Sequence, residues 1–340
     1  MNTDARPAAA RSAGRGGDGW RLCVAPMMDW TDRHCRQFHR LLSPHARLYS
    51  EMVTAAALVH GDREHLLRHG GEHPLALQLG GSDPAALAQA TCYGAEAGYD
   101  EINLNVGCPS DRVQSGRFGA CLMREPALVG DCVRAMRAAT DVPVTVKCRI
   151  GVDDQDAYAD LQRFTDVMCE VGVEVLEVHA RKAWLKGLSP KENRDIPPLD
   201  YERVYRLKRE YPHLVIVING GITTPAEVLT HLRHVDGVML GRAAYRDPWI
   251  LAELEHALWG TPLPTRAGVV RALRGHVESE LAAGAQLKHI ARHLLGLYQG
   301  QPRARRFRRL LSEGMHAAGA DFGLLERALD VVAPIAAEAA

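Results

Sequence analysis

Between Arg21 and Leu240 a short run of aliphatic and β-branched residues recurs eight times, each followed by a longer stretch of helical character. No other property of the sequence restricts the fold so strongly. The runs are 21–25, 48–52, 75–79, 101–105, 142–149, 175–179, 214–219 and 236–240. Most are continuously apolar, as parallel strands covered on both faces should be. Helix signals separate them. Thr31 or Asp32 caps a helix through Leu42, and a second helix spans Val53 to His60. Ser82 or Asp83 precedes Pro84, a favoured first helical residue, and that helix ends near Gly98. Further helices are expected over Pro126 to Ala139, from a cap at Asp156 to about Val171, over Leu199 to Tyr211, and from Thr224-Pro225. Eight strand–helix units over about 240 residues match an α/β fold of the (β/α)8 TIM barrel type. An open doubly wound sheet is the alternative, and the lack of a Gly-x-Gly-x-x-Gly turn after the first run weakens it.

The pattern stops after Pro248. From about Pro264 to Ala340 only helices are expected, broken at Gly284, Gly300-Gln-Pro302 and Gly319. The division is thus a tail over 1–20, a barrel over 21–260 and a smaller all-helical C-terminal domain over 261–340. Residues 1–20 are rich in Ala, Gly and Arg, lack the apolar core of a signal peptide, and read as a disordered tail. No stretch approaches the roughly 20 apolar residues that cross a bilayer, so no membrane association is expected. The eight cysteines contain no Cys-x-x-Cys pair. No metal site is expected, and reduced thiols in a cytoplasmic protein are the simplest reading.

Polar residues gather where the strands end. They are Met27 and Met28, Gln78, Asn105 with Cys108, Lys147, His179, Asn219-Gly220-Gly221 and Gly241-Arg242. The C-terminal ends of barrel strands are where such folds build their sites. A lone histidine or cysteine is usually structural, but this many coincidences on one rim point to a site. Gly107 and Pro109 put Cys108 in a turn, above Asn103 and Asn105, which share one face of their strand. The glycines after the seventh and eighth strands suit a phosphate, and Arg242 adds a charge-assisted contact. Gln78 and Lys147 would then meet a ring, and flavin mononucleotide (FMN) fits both requirements.

Charge must be read locally, because Lys+Arg and Asp+Glu both total 41. From Thr261 to Leu311 ten Lys/Arg stand against Glu278 and Glu280, a balance of +8. Five arginines surround Phe307 in the run 303–309. Charge runs are commonly solvated faces, but arginines around an aromatic beside a barrel mouth suit RNA backbone and base stacking. The loop after the sixth strand, 179–198, is long and basic, and a loop of that length is usually functional.

The motifs resemble the tRNA-dihydrouridine synthases. The resemblance rests on Ala25-Pro-Met-Met-Asp-Trp-Thr-Asp-Arg-His34, Leu77-Gln-Leu-Gly-Gly81, Asn103-Leu-Asn-Val-Gly-Cys-Pro-Ser110, Val144-Thr-Val-Lys147, His179-Ala-Arg-Lys-Ala-Trp184 and Asn219-Gly-Gly221. It covers about residues 21 to 325. Ser189-Pro-Lys-Glu-Asn-Arg194 and Gly151-Val-Asp-Asp154 resemble the bacterial A-type subfamily, which acts on D-loop uridines 20 and 20a. The resemblance implies an FMN enzyme that uses NADPH to reduce the 5,6 double bond of uridine in tRNA, with no stable protein partner. It implies that Cys108 protonates C5 while the flavin delivers hydride to C6. It places Pro26, Met27, Met28, Gln78, Lys147, His179, Asn219, Gly220, Gly221, Gly241 and Arg242 around FMN, and Asn105, Lys191, Arg194, Arg305 and Arg308 on tRNA. Phe307 stands where many relatives carry tryptophan, and stacking is expected to survive the change. A free thiol titrates near 8.5 and is mostly protonated at neutral pH, which suits an acid, provided Cys108 stays away from Lys147. Two alternatives are a flavoenzyme acting on a free pyrimidine, like dihydroorotate dehydrogenase, and a non-redox tRNA-binding protein.

Overall fold

The computed structural model describes residues 17–110, 113 and 116–333. Most of the expected tail, residues 1–16, lies outside this range, as do 334–340. Nine strands form one wholly parallel sheet: β1 (Leu22–Val24), β2 (Arg47–Tyr49), β3 (Val53–Thr54), β4 (Leu75–Gly80), β5 (Glu101–Asn105), β6 (Val144–Arg149), β7 (Val175–His179), β8 (Val215–Asn219) and β9 (Gly237–Leu240). The order β2-β1-β9-β8-β7-β6-β5-β4 closes through β2–β4 pairing into an eight-stranded barrel.

The second strand is interrupted, whereas the sequence suggested one run over 48–52. Ser50 is the cause. Its Oγ accepts the Gln78 N–H at 3.0 Å, so a side chain takes over a ladder acceptor, and pairing resumes only at Val53↔Leu79. The following helix accordingly starts at Ala55 rather than Val53, with Thr54 Oγ1 capping Ala57 N–H at 3.2 Å.

Side-chain caps fix other helix starts. Asp32 Oδ1 accepts the N–H groups of His34 and Cys35 at 2.9 Å each, opening Arg33–Leu42. Asp83 caps Pro84–Glu96 through Ala86 N–H at 2.9 Å. Asp156 is not a cap. Asp160 reaches back to Ala157 N–H at 3.2 Å to start Tyr158–Glu170, and Asp156 instead pairs with Lys182 Nζ at 2.6 Å.

Alternate strand residues point into the barrel. Cys23, Ala25, Tyr49, Ala76, Val175, Val217 and Met239 pack there on Trp20. Gly17–Trp20, expected to belong to the tail, is instead a 3-10 turn with Trp20 buried, and these residues close the barrel floor. The opposite strand faces pack against the helices.

The C-terminal region is helical: Arg266–Ala272, Arg274–Ala282, Leu287–Ala291, Ala304–Gly314 and Phe322–Val332. Its breaks at Gly284, Gly300 and Gly319 adopt positive φ, which glycine accepts without strain. Val270, Leu273, Val277, Phe307 and Leu311 join the same apolar core as the barrel's outer layer. His34 Nδ1 meets His276 Nε2 at 2.9 Å across this junction, and His293 Nε2 meets Asp32 at 3.1 Å. Phe307 is 1% exposed and packs on Tyr298 at a centroid distance of 4.6 Å, so it is a core residue and cannot stack on a base. Among the described residues no helix is long and apolar enough to cross a membrane, and all eight cysteines are free.

Candidate active site at the mouth of the barrel

The last inward residues of five successive strands form an arc. Gln78 on β4 is the register partner of Asn103. Asn105 on β5 pairs with Lys147 on β6, Arg149 with His179 on β7, and His179 with Asn219 on β8. Parallel pairing puts these side chains beside one another. Lys147 Nζ donates to Asn219 Oδ1 at 3.2 Å, and Asn219 Nδ2 donates to Met239 O at 2.8 Å. Burial pulls Lys147 down to about 8, against the opposing pull of Glu177. Burial, reinforced by Arg149 and Lys147, holds His179 far below its ordinary value, so its ring is neutral. The glycines after β8 are required where they stand. Gly220 has φ +119°, and a Cβ there would come within 2.8 Å of the His179 ring.

Asn105 makes the turn that carries Cys108. Its Oδ1 accepts the N–H groups of Gly107 and Cys108 at 3.1 and 2.9 Å, and its Nδ2 donates to Gln78 Oε1 at 2.8 Å. The Cys108 carbonyl accepts Ala120 N–H at 2.9 Å. The half-buried thiol lies 3.6 Å from Ser110 Oγ. The sulfur is among the weaker charges acting on Lys147 and Arg194, and it acts on Arg149 as well.

Arg149 was missed by the sequence reading. It is 3% exposed, and its Nε donates to Gly107 O at 2.8 Å. Its Nη1 donates to Lys182 O and Asn193 O at 3.1 and 3.0 Å. One guanidinium thus ties the Cys108 turn to the β7 loop. The signal was available: Arg149 has the same strand parity as Lys147. Glu101 and Glu177 are buried in the barrel interior on the same reasoning, each in line with an arc residue. Asn193 is the pin of the loop, donating from Nδ2 to Trp184 O at 2.9 Å and Leu188 O at 3.1 Å.

Pro26 and Met27 follow β1 half-buried, and Met28 is exposed. Gly241 follows β9, and a Cβ there would meet nothing within 4 Å. Arg242 lies next to it but is engaged, with Nη2 and Nη1 on Asp195 at 2.6 and 3.2 Å. Lys191 and Arg194 are exposed on the β7 loop. Arg305 and Arg308 are exposed on Ala304–Gly314, three residues apart and so on one face. Arg303 belongs to the structure rather than the surface, because it donates to Ala333 O at 3.0 Å. Beside the arc, between Arg33–Leu42 and the β2–β3 segment, lies a cavity of about 730 Å³ that contains Met28 but no other residue of the expected flavin set.

A parallel (β/α)8 barrel whose mouth carries a buried lysine, paired amides and a turn-mounted thiol has the build of a barrel enzyme. Residues 23–333 match the model of one family, "Dihydrouridine synthase (Dus)". The chain belongs to the dihydrouridine synthase family, flavin-dependent enzymes that reduce uridine to dihydrouridine in tRNA. It is 62% identical over 312 residues to a tRNA-dihydrouridine(20/20a) synthase of Xanthomonas campestris, covering 92% of this chain and 93% of that one. It is 58% identical to the protein of the same name from Salmonella typhimurium, over 92% of this chain and 96% of that one. The figure for Vibrio cholerae is 56%, over 91% and 95%. Family membership sets aside the free-pyrimidine and non-redox readings.

Proposed function

We propose that this protein reduces uridines 20 and 20a in the D loop of tRNA, with FMN as cofactor, NADPH as reductant and Cys108 as the proton donor. The positions follow the names of the relatives. The observation that carries the chemistry is the turn held by Asn105, which fixes a free thiol at the end of β5, where Asn105 bonds Gln78 and is the register partner of the buried Lys147.

The residues present fit FMN. Lys147 is a buried cation bonded to an amide oxygen rather than to a carboxylate, so it can receive charge from a ring. Backbone at Gly241 faces open space beside a guanidinium that already grips an oxyanion, the Asp195 carboxylate. Gln78, Lys147, His179 and Asn219 would hold the ring, with Pro26, Met27 and Met28 beside it. Gly220, Gly221, Gly241 and Arg242 would hold the phosphate.

When bound and reduced by NADPH, the flavin supplies the hydride that reaches C6. The protein's part is the proton. Cys108 gives its hydrogen to C5, completing the gain of two hydrogens across the double bond. Lys147, Arg149 and Arg194, on which the sulfur's charge acts, would share the negative charge that grows there as the proton leaves. A target base stacked in folded tRNA must first be drawn out, which a grip from Lys191, Arg194, Arg305 and Arg308 would support. Eight free thiols suit the cytoplasm, where tRNA is found.

Mass mapping tests this reading. An unmodified tRNA transcript incubated with the FMN-loaded protein and NADPH should gain two hydrogens at uridine 20 or 20a. Equal reduction of free uridine, or reduction elsewhere in the tRNA, would contradict it.

A further inference from the structure

A column of polar groups runs down the barrel interior from the Cys108 turn, and its direction is fixed by backbone donors. Asn105 Oδ1 accepts from Gly107 and Cys108 N–H, so Asn105 Nδ2 is the edge that donates to Gln78 Oε1. Gln78 Nε2 then donates to Asn103 Oδ1 at 2.7 Å. Asn103 Nδ2 donates to Thr145 Oγ1 and to Glu177 Oε2, at 2.8 Å each. No amide in the chain can be turned over without setting like against like.

At Glu177 the hydrogens can be counted. Tyr49 Oη lies 2.8 Å from Glu177 Oε1 and 2.8 Å from Glu101 Oε1, yet a phenol carries one hydrogen. Two ionised carboxylates cannot share it in a dry interior, because one contact would set lone pairs against lone pairs. One carboxyl is therefore protonated. Glu101 is held ionised by Arg47 Nη1 at 3.2 Å, Trp20 Nε1 at 2.7 Å and Thr145 Oγ1 at 2.6 Å. Glu177 has no cation among its hydrogen-bond partners. Its Oε2 already accepts from Asn103, so the hydrogen sits on Oε1 and points at Tyr49, whose own hydrogen goes to Glu101.

Building on the flavin reading above, we propose that Glu177 is a positioning residue held as a neutral acid, leaving the charge of Lys147 uncancelled for the flavin ring. The two residues are register partners on β7 and β6. An ionised Glu177 would cancel the charge of Lys147, the arc cation bonded to Asn219, before the ring could use it. Burial, reinforced by the Glu101 charge, pushes Glu177 up to about 8, which keeps it protonated at neutral pH. The groups facing it are Tyr49 on β2, Glu101 with Arg47, Lys147, and the thiols of Cys23 and Cys148. Burial pushes both thiols up, so neither contributes charge.

The test combines infrared spectroscopy with potentiometry on the full-length protein and its Glu177→Gln variant. Glutamine reproduces a neutral acid here, its amide donating to Tyr49 and its carbonyl accepting from Asn103. With 13C-labelled glutamate, wild type should show the C=O stretch of a protonated carboxyl at pH 7. The band should be missing in Glu177→Gln and fade in wild type as pH passes about 8. The flavin potential of the variant should equal that of wild type at pH 7. By pH 9 both potentials should drop as Lys147 loses its proton near 8, and the added charge on Glu177 should set wild type below the variant by about tenfold in the affinity ratio of oxidised to reduced flavin, about 30 mV for two electrons. A merely structural glutamate would leave the two potentials together at every pH. The proposal is overturned by absence of the band at pH 7, by potentials that already differ at pH 7, or by potentials that coincide through pH 9. If the variant does not fold, the presence or absence of the band in wild type decides. The band needs no cofactor, so a protein that shows it yet binds no FMN sinks the flavin reading and the electrostatic role together, while the protonation stands.

Discussion

Replacing Asn105 by Ala should separate the placement of the thiol from every other part of the reaction. The substitution leaves three groups without their partner: the N–H of Gly107, the N–H of Cys108, and Gln78 Oε1. A buried polar group left unpaired costs about 1–3 kcal/mol. Gln78 is 1% exposed and takes the full penalty, while Gly107 and Cys108 are half-buried and water can reach them. The loss of stability should therefore be about 2–5 kcal/mol. The turn then relaxes, and a misplacement of about 1 Å costs roughly 10²-fold in rate. FMN binding and NADPH-driven bleaching should persist, because neither uses the thiol. Reoxidation by tRNA should slow about 10²-fold with little change in tRNA KM. If Asn105 instead acts chiefly by touching the base, KM should rise as well. Asn105→Asp keeps the acceptor for both N–H groups and should restore the turn and much of the reoxidation rate, but it sets an oxygen against Gln78 Oε1 and should not recover the stability lost there. Thermal unfolding and stopped-flow absorbance measure both effects. An Ala variant that melts and reoxidises like wild type would refute the argument that Asn105 holds the turn.

Two further predictions follow from the charges around the mouth. Asp195→Asn should free Arg242 and tighten FMN several-fold, and Arg242→Ala should weaken it; calorimetry that finds both unchanged would remove Arg242 from the phosphate site. Replacing Arg305 and Arg308 together by Ala should weaken tRNA binding and flatten log Kd against log salt by about 0.7–0.9 per arginine, leaving FMN affinity unchanged; an unaltered slope would mean that neither meets a phosphate.

The barrel was legible because its strands are apolar runs cut by glycine, proline and capping residues. Strand ends at Asn105, Arg149, His179, Asn219 and Leu240 fall where the sequence put them. The arc was legible for the same reason, since polar residues at the ends of apolar runs stand out. Other features escaped, each for its own physical reason. The break after Tyr49 depends on a hydroxyl capturing a ladder hydrogen bond, which no apolar pattern records. Phe307 looked like a stacking residue because arginines flank it, but its helix turns that position inward onto Tyr298. Glu101 and Glu177 were not singled out in the sequence. Their parity with Asn105 and His179 places them inside, and only a closed barrel shows that both reach one tyrosine.

The most direct measurement is the pair of half-reactions of Cys108→Ala, followed by stopped-flow absorbance. If the thiol gives the proton to C5, the variant should bind FMN and be bleached by NADPH at the wild-type rate, because neither event needs that proton. It should then be reoxidised by tRNA slower by roughly 10² or more, the usual weight of general acid catalysis. Cys108→Ser should be nearly as slow, since a hydroxyl is a far weaker acid than a thiol. Reoxidation of the Ala variant by tRNA at the wild-type rate would make Cys108 a turn residue and contradict the mechanism.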